Sequence, residues 1–216
     1  MKFVCIFFTF LVSIPAFAVP VRTGFVQSDG VKIYFQDHGD INKPSLVLLH
    51  GFALTSEMWE PQIEALTKEY RVITPDLRGH GRSHVGDGQY FLDYFVEDVI
   101  ALLDHLQIKQ TALCGFSMGG YIALRLMEKP GDKGSGRISK LVLANTHAGD
   151  DSNPIKDMRF KAMKSAKRIE GIESFVTSSI AVTFAKSTFE KNPAAIDKVR
   201  AILRGNSREG ICASLL

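Results

Sequence analysis

The residues best suited to chemistry form the segment GFSMGG at positions 115–120. It follows an apolar run at 111–114 and precedes a helical pattern at 121–128. The order strand, G-x-S-x-G, helix is typical of a nucleophile elbow, in which glycines flank the serine because the turn leaves no room for side chains. We predict that Ser117 is a nucleophile that forms an acyl intermediate. A turn that holds a cofactor phosphate would instead need G-x-G-x-x-G or a lysine at the helix start.

A second segment, HGF at 50–52, follows the first strongly apolar run. Acyl transfer through a serine needs preorganised donors for the tetrahedral oxyanion. The backbone N–H groups of Phe52 and Met118 would converge if the two preceding strands are neighbours, so we predict that they form the oxyanion hole. His50 fits a residue that braces this turn better than one that transfers protons.

A third segment, PDLRGHGRS at 75–83, follows the apolar run 71–74. We expect Asp76 and Arg78 to lock this loop by ion pairing, while its glycines serve tight turns. Neither residue is assigned as the acid of a catalytic triad.

Short apolar runs alternate with helical patterns along the chain and must position these segments. A hairpin is predicted from 24–26 and 31–36 around an Asp-Gly turn. Four further runs are typical of strands buried on both faces of a parallel sheet, and two helical patterns separate them. The runs are 46–49, 71–74, 111–114 and 141–144, and the helical patterns are 61–70 and 93–106. We predict an α/β fold with an open, mostly parallel sheet, whose ligands bind at the carboxyl ends of the strands.

Beyond residue 148 the sequence predicts helices only, at 155–169, 172–184 and 194–203, with Ser207 able to cap another. The first has an apolar face that includes Ile155 and Met158, whereas Lys156, Lys161, Lys164, Lys167 and Arg168 lie largely on other faces. Residues 151–216 hold 12 Lys and Arg against 7 Asp and Glu. This excess could attract an anionic substrate, or it could simply form a solvated face.

Composition restricts the functional class. The chain has 216 residues, 45% of them hydrophobic and 23% charged, as in one ordinary globular domain. With 26 Lys and Arg against 23 Asp and Glu, it lacks the basic excess of a nucleic-acid binder. Its three cysteines have neither metal-ligand spacing nor a disulfide framework. We therefore expect no metal, no cofactor and no nucleic-acid partner.

The motif order HGF, PDLRGHGRS, GFSMGG and LVLANTHAG (141–149) resembles the α/β-hydrolase superfamily over residues 24–149. The strings EMWEPQ (57–62), GFSMGG and LANTHAG are most similar to its 3-oxoadipate enol-lactonase-like branch of carboxylic-ester hydrolases. The resemblance implies Ser117 as nucleophile, Phe52 and Met118 as oxyanion hole, and a helical cap over about 151–208. It also implies a small-molecule ester or lactone as substrate, and an enol-lactone that bears a free carboxylate would be anionic.

Family members continue into two more strands, whose loops carry the triad acid and then the triad base. This chain ends at Leu216, so we expect 19–150 to be the core and 209–216 to begin the helix that returns to it, with the last two strands missing. All six histidines precede the position of the base: His38, His50, His80, His84, His105 and His147. We assign no triad acid or base, although Asp150 or Asp151 could imitate an alternative acid position and His147 is the least implausible substitute base.

Three functional interpretations follow. The first is a hydrolase that cleaves an ester or lactone through an acyl-serine and whose C-terminal part is absent from this chain. The second is a non-catalytic, truncated remnant, because an acid without a base does not activate a serine. The third and weaker one is a cofactor-free enzyme of the haloperoxidase type, which shares the elbow.

Residues 1–18 have the features of a secretory signal peptide. Lys2 precedes an apolar stretch at 3–14, Pro15 breaks it, and AFA at 16–18 supplies small residues. The stretch is shorter than the ~20 residues that span a bilayer, although an uncleaved anchor is the alternative. We expect a periplasmic or secreted protein without stable membrane association after cleavage.

We predict cleavage after Ala18, because the small-residue pattern ends there. Mass spectrometry of the exported protein should find Val19 at its N-terminus. An intact Met1 on a membrane-bound species would contradict this prediction and favour the anchor.

Overall fold

The computed structural model describes residues 19–88, 90–149, 152–166 and 171–214. The expected signal peptide, Gln89 and the residues at 150–151, 167–170 and 215–216 lie outside the described residues. One sheet has the strand order β1-β2-β4-β3-β5-β6. Its strands are β1 (Val21–Ser28), β2 (Val31–His38), β3 (Ser45–Leu49), β4 (Arg71–Pro75), β5 (Thr111–Phe116) and β6 (Ile138–Ala144).

The hairpin predicted from 24–26 and 31–36 is present and is longer than the sequence indicated. β1 and β2 pair in antiparallel register from Val21–His38 to Ser28–Val31. Asp29 and Gly30 connect them with φ angles of 38° and 76°. Two successive left-handed residues are the hallmark of the two-residue turn that matches strand twist, which explains why the Asp-Gly pair predicts the hairpin.

The sheet is mostly parallel, as predicted. β3 pairs in parallel with β4 and β5, and β5 pairs in parallel with β6, whereas β2 pairs with β4 in the antiparallel direction. The central strands β3, β4 and β5 are almost wholly buried, in agreement with their apolar runs. Their carboxyl ends reach one edge of the sheet, so the loops that follow these three strands meet there.

The prediction that β6 is buried on both faces is wrong. Val142 is 51% exposed and Leu143 is 44% exposed. β6 is the last strand in the sheet order and pairs only with β5 among the described residues. The apolar run alone predicts a buried strand, whereas the expected loss of the last two strands predicts that this strand lies at the sheet edge.

The core helices follow the predicted pattern. α1 (Glu60–Leu66), α2 (Leu92–His105) and α3 (Met118–Glu128) connect the strands. α2 and α3 contribute Val96, Leu103, Ile122 and other fully buried side chains to the main core. α1 ends earlier than the predicted 61–70, because the Thr67 hydroxyl donates to the carbonyls of Ile63 and Glu64 at the last turn.

The described residues from 153 onward are mainly helical, as predicted. The helices are α4 (Asn153–Ala166), α5 (Gly171–Thr183), α6 (Lys186–Lys191), α7 (Pro193–Gly205) and α8 (Arg208–Ala213). Ser207 caps α8 by accepting a hydrogen bond from Gly210 N, as predicted. The short helix α6 was not predicted. On the apolar face predicted for α4, Met158 is 62% exposed and Ile155 is 36% exposed. None of the helices in the described ranges is long and apolar enough to cross a membrane.

A second apolar core joins these helices to the carboxyl end of the central strands. Val176 and Ile180 of α5 and Leu203 of α7 are buried in one cluster with Ala53, which lies just beyond β3. Phe52 packs edge-on against Phe175, with ring centroids 5.8 Å apart. α5 and α7 therefore lie against the turn that carries Phe52.

The loop after β4 is held differently from the ion pairing that we expected within it. Arg78 makes a bidentate ion pair with Asp98 of α2, at 2.6 and 2.7 Å, and both side chains are at most 4% exposed. Asp76 instead accepts hydrogen bonds from the backbone N–H groups of Ser56, at 2.8 Å, and Arg82, at 3.0 Å. The sequence identified both residues as structural, but their partners depend on how the loop packs.

We predict that Asp98→Ala lowers the free energy of unfolding by about 3–5 kcal/mol, because it leaves the Arg78 guanidinium buried without its partner. Urea unfolding followed by circular dichroism measures this loss. The matched control is Glu173→Ala, which breaks the exposed ion pair with Arg204 and should shift the midpoint far less. Equal shifts in the two variants would contradict the prediction.

Candidate active site

Ser117 occupies a strained backbone conformation between β5 and α3. Its φ is 51° and its ψ is −114°, a combination that costs free energy for any residue with a side chain. Four hydrogen bonds hold its backbone. Ser117 N donates to Ala144 O at 2.9 Å, and Ser117 O accepts from Gly120 N at 2.8 Å, from the Thr146 hydroxyl at 2.9 Å and from Tyr121 N at 3.3 Å. The predicted elbow is therefore present and is fixed by its surroundings.

The flanking glycines are required by close contacts, as the motif predicts. A Cβ atom at Gly115 would lie 2.3 Å from Gly119 O. One at Gly119 would lie 2.5 Å from Leu49 O, and one at Gly120 would lie 2.5 Å from Thr146. These distances are far below van der Waals contact, so larger residues would push α3 away from β3 and β5.

The turn after β3 lies directly beside the serine. A Cβ atom at Gly51 would be 2.9 Å from the Phe116 ring and 3.4 Å from Ser117 Cβ. β3 and β5 are neighbours, with Leu49 opposite Gly115. This adjacency is the condition on which we based the oxyanion hole of Phe52 and Met118, and their N–H groups remain the predicted donors.

His50 braces this turn, in agreement with its predicted structural role. The ring is fully buried, and Nε2 accepts a hydrogen bond from Leu77 N at 2.8 Å. Nδ1 therefore carries the proton and donates it to Gly51 O, also at 2.8 Å. Burial lowers the pKa of His50 to about 4, so the ring is neutral near pH 7 and both nitrogens are engaged.

Two other histidines follow strands of the sheet, His80 after β4 and His147 after β6. Burial lowers the pKa of His80 to about 3, and its Nδ1 lies 2.9 Å from Arg78 O. Such a pKa is poorly matched to a general base at neutral pH. His147 Nε2 lies 2.9 Å from the Tyr121 hydroxyl, and its ring packs edge-on against Tyr121. Its role as a substitute base remains untested.

A cavity of about 640 Å³ opens next to Ser117. Its lining combines the turn after β3, the residues before α1, and the helices α5 and α7, and most of its side chains are apolar. It includes Phe52, Leu54, Met58, Phe116, Phe175, Val182, Phe184, Val199, Ile202 and Leu203. Phe52 and Ser117 thus share one cavity, while the Met118 side chain is buried in the main core.

The charged side chains among the described cavity-lining residues are Glu57 and Lys198. Lys198 Nζ forms an ion pair with Glu60, so its charge is already balanced. Sequence reasoning missed Lys198, because its position in the cavity depends on the packing of α7 against the turn after β3. In the described part of the chain, no group of three or more His, Cys, Asp or Glu side chains could hold a metal ion.

Comparison with known proteins agrees with this architecture. A family model described as the alpha/beta hydrolase fold matches residues 44–203. The chain is 30% identical over 184 residues to 3-oxoadipate enol-lactonase 2 of Acinetobacter baylyi, which covers 83% of this chain and 64% of the relative. It is 37% identical over 118 residues to a non-heme haloperoxidase of Rhodococcus erythropolis, covering 54% of this chain and 41% of the relative. The chain therefore spans less than two thirds of these relatives.

Solved structures show the same fold. An enol-lactonase from Burkholderia xenovorans superposes with a TM-score of 0.82 at 27% identity, covering 89% of this chain and 72% of the other. A thermophilic esterase from Thermogutta terrifontis superposes with a TM-score of 0.81 at 32% identity, covering 90% and 71%. With an elbow serine at the carboxyl end of a mostly parallel sheet and a family match over 44–203, the chain belongs to the alpha/beta hydrolase fold family.

Proposed function

We propose that this protein is a serine hydrolase that cleaves a small carboxylic ester or lactone through an acyl intermediate on Ser117. The observation that carries the proposal is the strained serine facing a cavity of about 640 Å³ beside the turn after β3. The names of relatives, which include enol-lactonases and esterases, support this class of substrate.

The proposed reaction begins with attack of Ser117 Oγ on the carbonyl carbon of the substrate. The carbonyl oxygen gains negative charge, and the N–H groups of Phe52 and Met118 would stabilise it. Collapse of the tetrahedral species expels the alcohol and leaves an acyl-serine, which water then hydrolyses. Removal of the serine proton requires a base, and we assign none of the six histidines to that role.

We also propose that the preferred substrate is uncharged near the acyl carbon. The apolar lining supports this preference, and the Lys198 charge is balanced by Glu60 while Glu57 adds a carboxylate. Lys156, Lys161 and Lys164 are exposed on α4 and are not among the cavity-lining residues. In the helices α4 to α7, which we propose to be the cap, these lysines would act mainly as a solvated face.

The compartment is a further part of the proposal. The basic start, apolar stretch and AFA pattern of residues 1–18 support export to the periplasm or the medium. A hydrolase in that location would meet esters and lactones outside the cytoplasm.

Chemical rescue tests the role of Ser117. We expect the chain alone to show little serine-dependent turnover of p-nitrophenyl butyrate, because a serine without a base is weakly nucleophilic. After subtraction of the hydrolysis that imidazole causes without protein, imidazole added as a base should raise the rate in a saturable manner, and Ser117→Ala should abolish this increase. Ser179→Ala is the matched control, since Ser179 lines the same cavity and should retain the rescued rate.

An equal imidazole effect in the parent chain and in Ser117→Ala would contradict the proposal and favour a non-catalytic remnant. High turnover without imidazole that Ser117→Ala abolishes would show that the described chain contains a base. Our decision to assign none of the six histidines as the base would then be wrong.

Substrate charge is tested with mono-p-nitrophenyl glutarate and its neutral methyl ester under the rescue conditions. We expect a higher kcat/KM for the neutral ester, and we expect added salt to raise kcat/KM only for the anionic one, because salt screens its repulsion by Glu57. Glu57→Gln should raise kcat/KM for the anionic ester by roughly fivefold or less. Lys156→Gln is the control, and it should leave kcat/KM unchanged for both esters. A fall of kcat/KM with salt for the anionic ester alone would favour attraction by the basic face instead.

A further inference from the structure

Asn206 is a buried polar residue whose side chain connects three parts of the chain. It follows α7 directly and is 6% exposed. Its Oδ1 accepts a hydrogen bond from Gly81 N at 2.8 Å, while Nδ2 donates to Ala53 O at 2.7 Å and to Ile202 O at 3.0 Å. One N–H donor and two carbonyl acceptors fix the orientation of the amide, because the opposite orientation would leave all three unpaired.

The hydrogen bond from Asn206 Nδ2 to Ala53 O supports a turn whose backbone is strained. Ala53 has a φ of 57°, in the left-handed region that a residue with a Cβ atom seldom adopts. The turn is closed by a hydrogen bond from Leu54 N to Gly51 O at 3.1 Å. A donor held 2.7 Å from Ala53 O fixes the peptide unit between Ala53 and Leu54 and so supports the strained conformation.

His50 holds the other side of the same turn. Its Nδ1 donates to Gly51 O, and this carbonyl belongs to the peptide unit that also contains Phe52 N–H. The peptide units before Phe52 and after Ala53 are therefore both fixed by buried side chains. Phe52 therefore lies between two anchored peptide units, one held by His50 and the other by Asn206, directly after α7.

The bond to Gly81 connects the anchor to the loop after β4. A Cβ atom at Gly81 would lie 2.3 Å from the Asp76 carboxylate. Asp76 in turn accepts a hydrogen bond from Ser56 N, just beyond the turn. Asn206 thus connects the turn after β3 with the loop after β4, which Asp76 also connects. It lies at the end of α7, a helix that lines the cavity.

We propose that Asn206 is a positioning residue that holds Phe52 N–H in the direction required to bind the oxyanion. This inference rests on the proposed function for its catalytic consequence, but not for the structural effect of Asn206 on the turn. Its loss should reduce stabilisation of the transition state more than it reduces binding of the substrate, since the oxyanion forms only after attack.

The test compares Asn206→Leu, which removes all three hydrogen bonds, with Asn192→Ala as matched control. Asn192 caps the N-terminal end of α7, where its side chain accepts a hydrogen bond from Ala195 N. That bond does not involve the turn after β3. Hydrogen exchange of Leu54 N–H, measured by NMR and divided by that of Ile122 N–H in the core, reports local opening of the turn. A purely global loss of stability would accelerate both amides together.

We expect the Leu54 to Ile122 ratio to rise about tenfold or more in Asn206→Leu and to stay within about twofold in Asn192→Ala. In the imidazole-rescued reaction, kcat should fall about ten- to a hundredfold in Asn206→Leu with KM little changed. Asn206→Asp provides a second variant if the first does not fold, because at pH 8 it retains an acceptor for Gly81 N but cannot donate to Ala53 O. It should open the turn in the same way.

An unchanged exchange ratio in a folded Asn206 variant would overturn the inference, whatever the activity. An increased ratio with an unchanged rescued kcat would overturn the catalytic part of it. If the parent chain shows no Ser117-dependent rescue at all, the proposed function fails, and the exchange ratio still decides whether Asn206 holds the turn.

Discussion

The left-handed backbone of Ser117 is the constraint to which the surrounding structure conforms. Ser117 is half-buried at a sharp strand-to-helix turn, and its strained conformation persists only because the surrounding structure permits no other. The contacts around Gly115, Gly119 and Gly120 show how little space remains between β3, β5 and α3. The same crowding brings the turn after β3 against the serine, so the backbone strain at Ser117 and the position of the predicted oxyanion donors have one cause.

Buried polar side chains, rather than apolar contacts alone, determine the shape of the loops at this edge of the sheet. His50, Asp76 and Asn206 are each at least nine-tenths buried, and each uses its polar atoms on backbone groups of a neighbouring loop. A buried polar group that lost its partner would cost more than the bond contributes. The loops are therefore restricted to conformations that satisfy all three side chains together.

The sequence predicted the features that depend on neighbours along the chain. The Asp-Gly hairpin, the G-x-S-x-G elbow and the cap at Ser207 each follow from residues a few positions apart. The partner of Arg78 and the contacts of Asn206 were missed, because each depends on residues far apart in sequence. Arg78 finds Asp98 20 positions later, and Asn206 finds Ala53 153 positions earlier. No local pattern carries that information.

The long separation between Ala53 and Asn206 also orders events during synthesis. The chain emerges from its N-terminus, so the elbow and the six described strands precede the end of α7. Contacts of such high sequence separation form late, since the intervening chain must first be ordered. The six described strands can thus pair while the turn that carries Phe52 still lacks one of its two anchors. Ser117 would lie beside a turn held from both sides only after the end of α7 has docked.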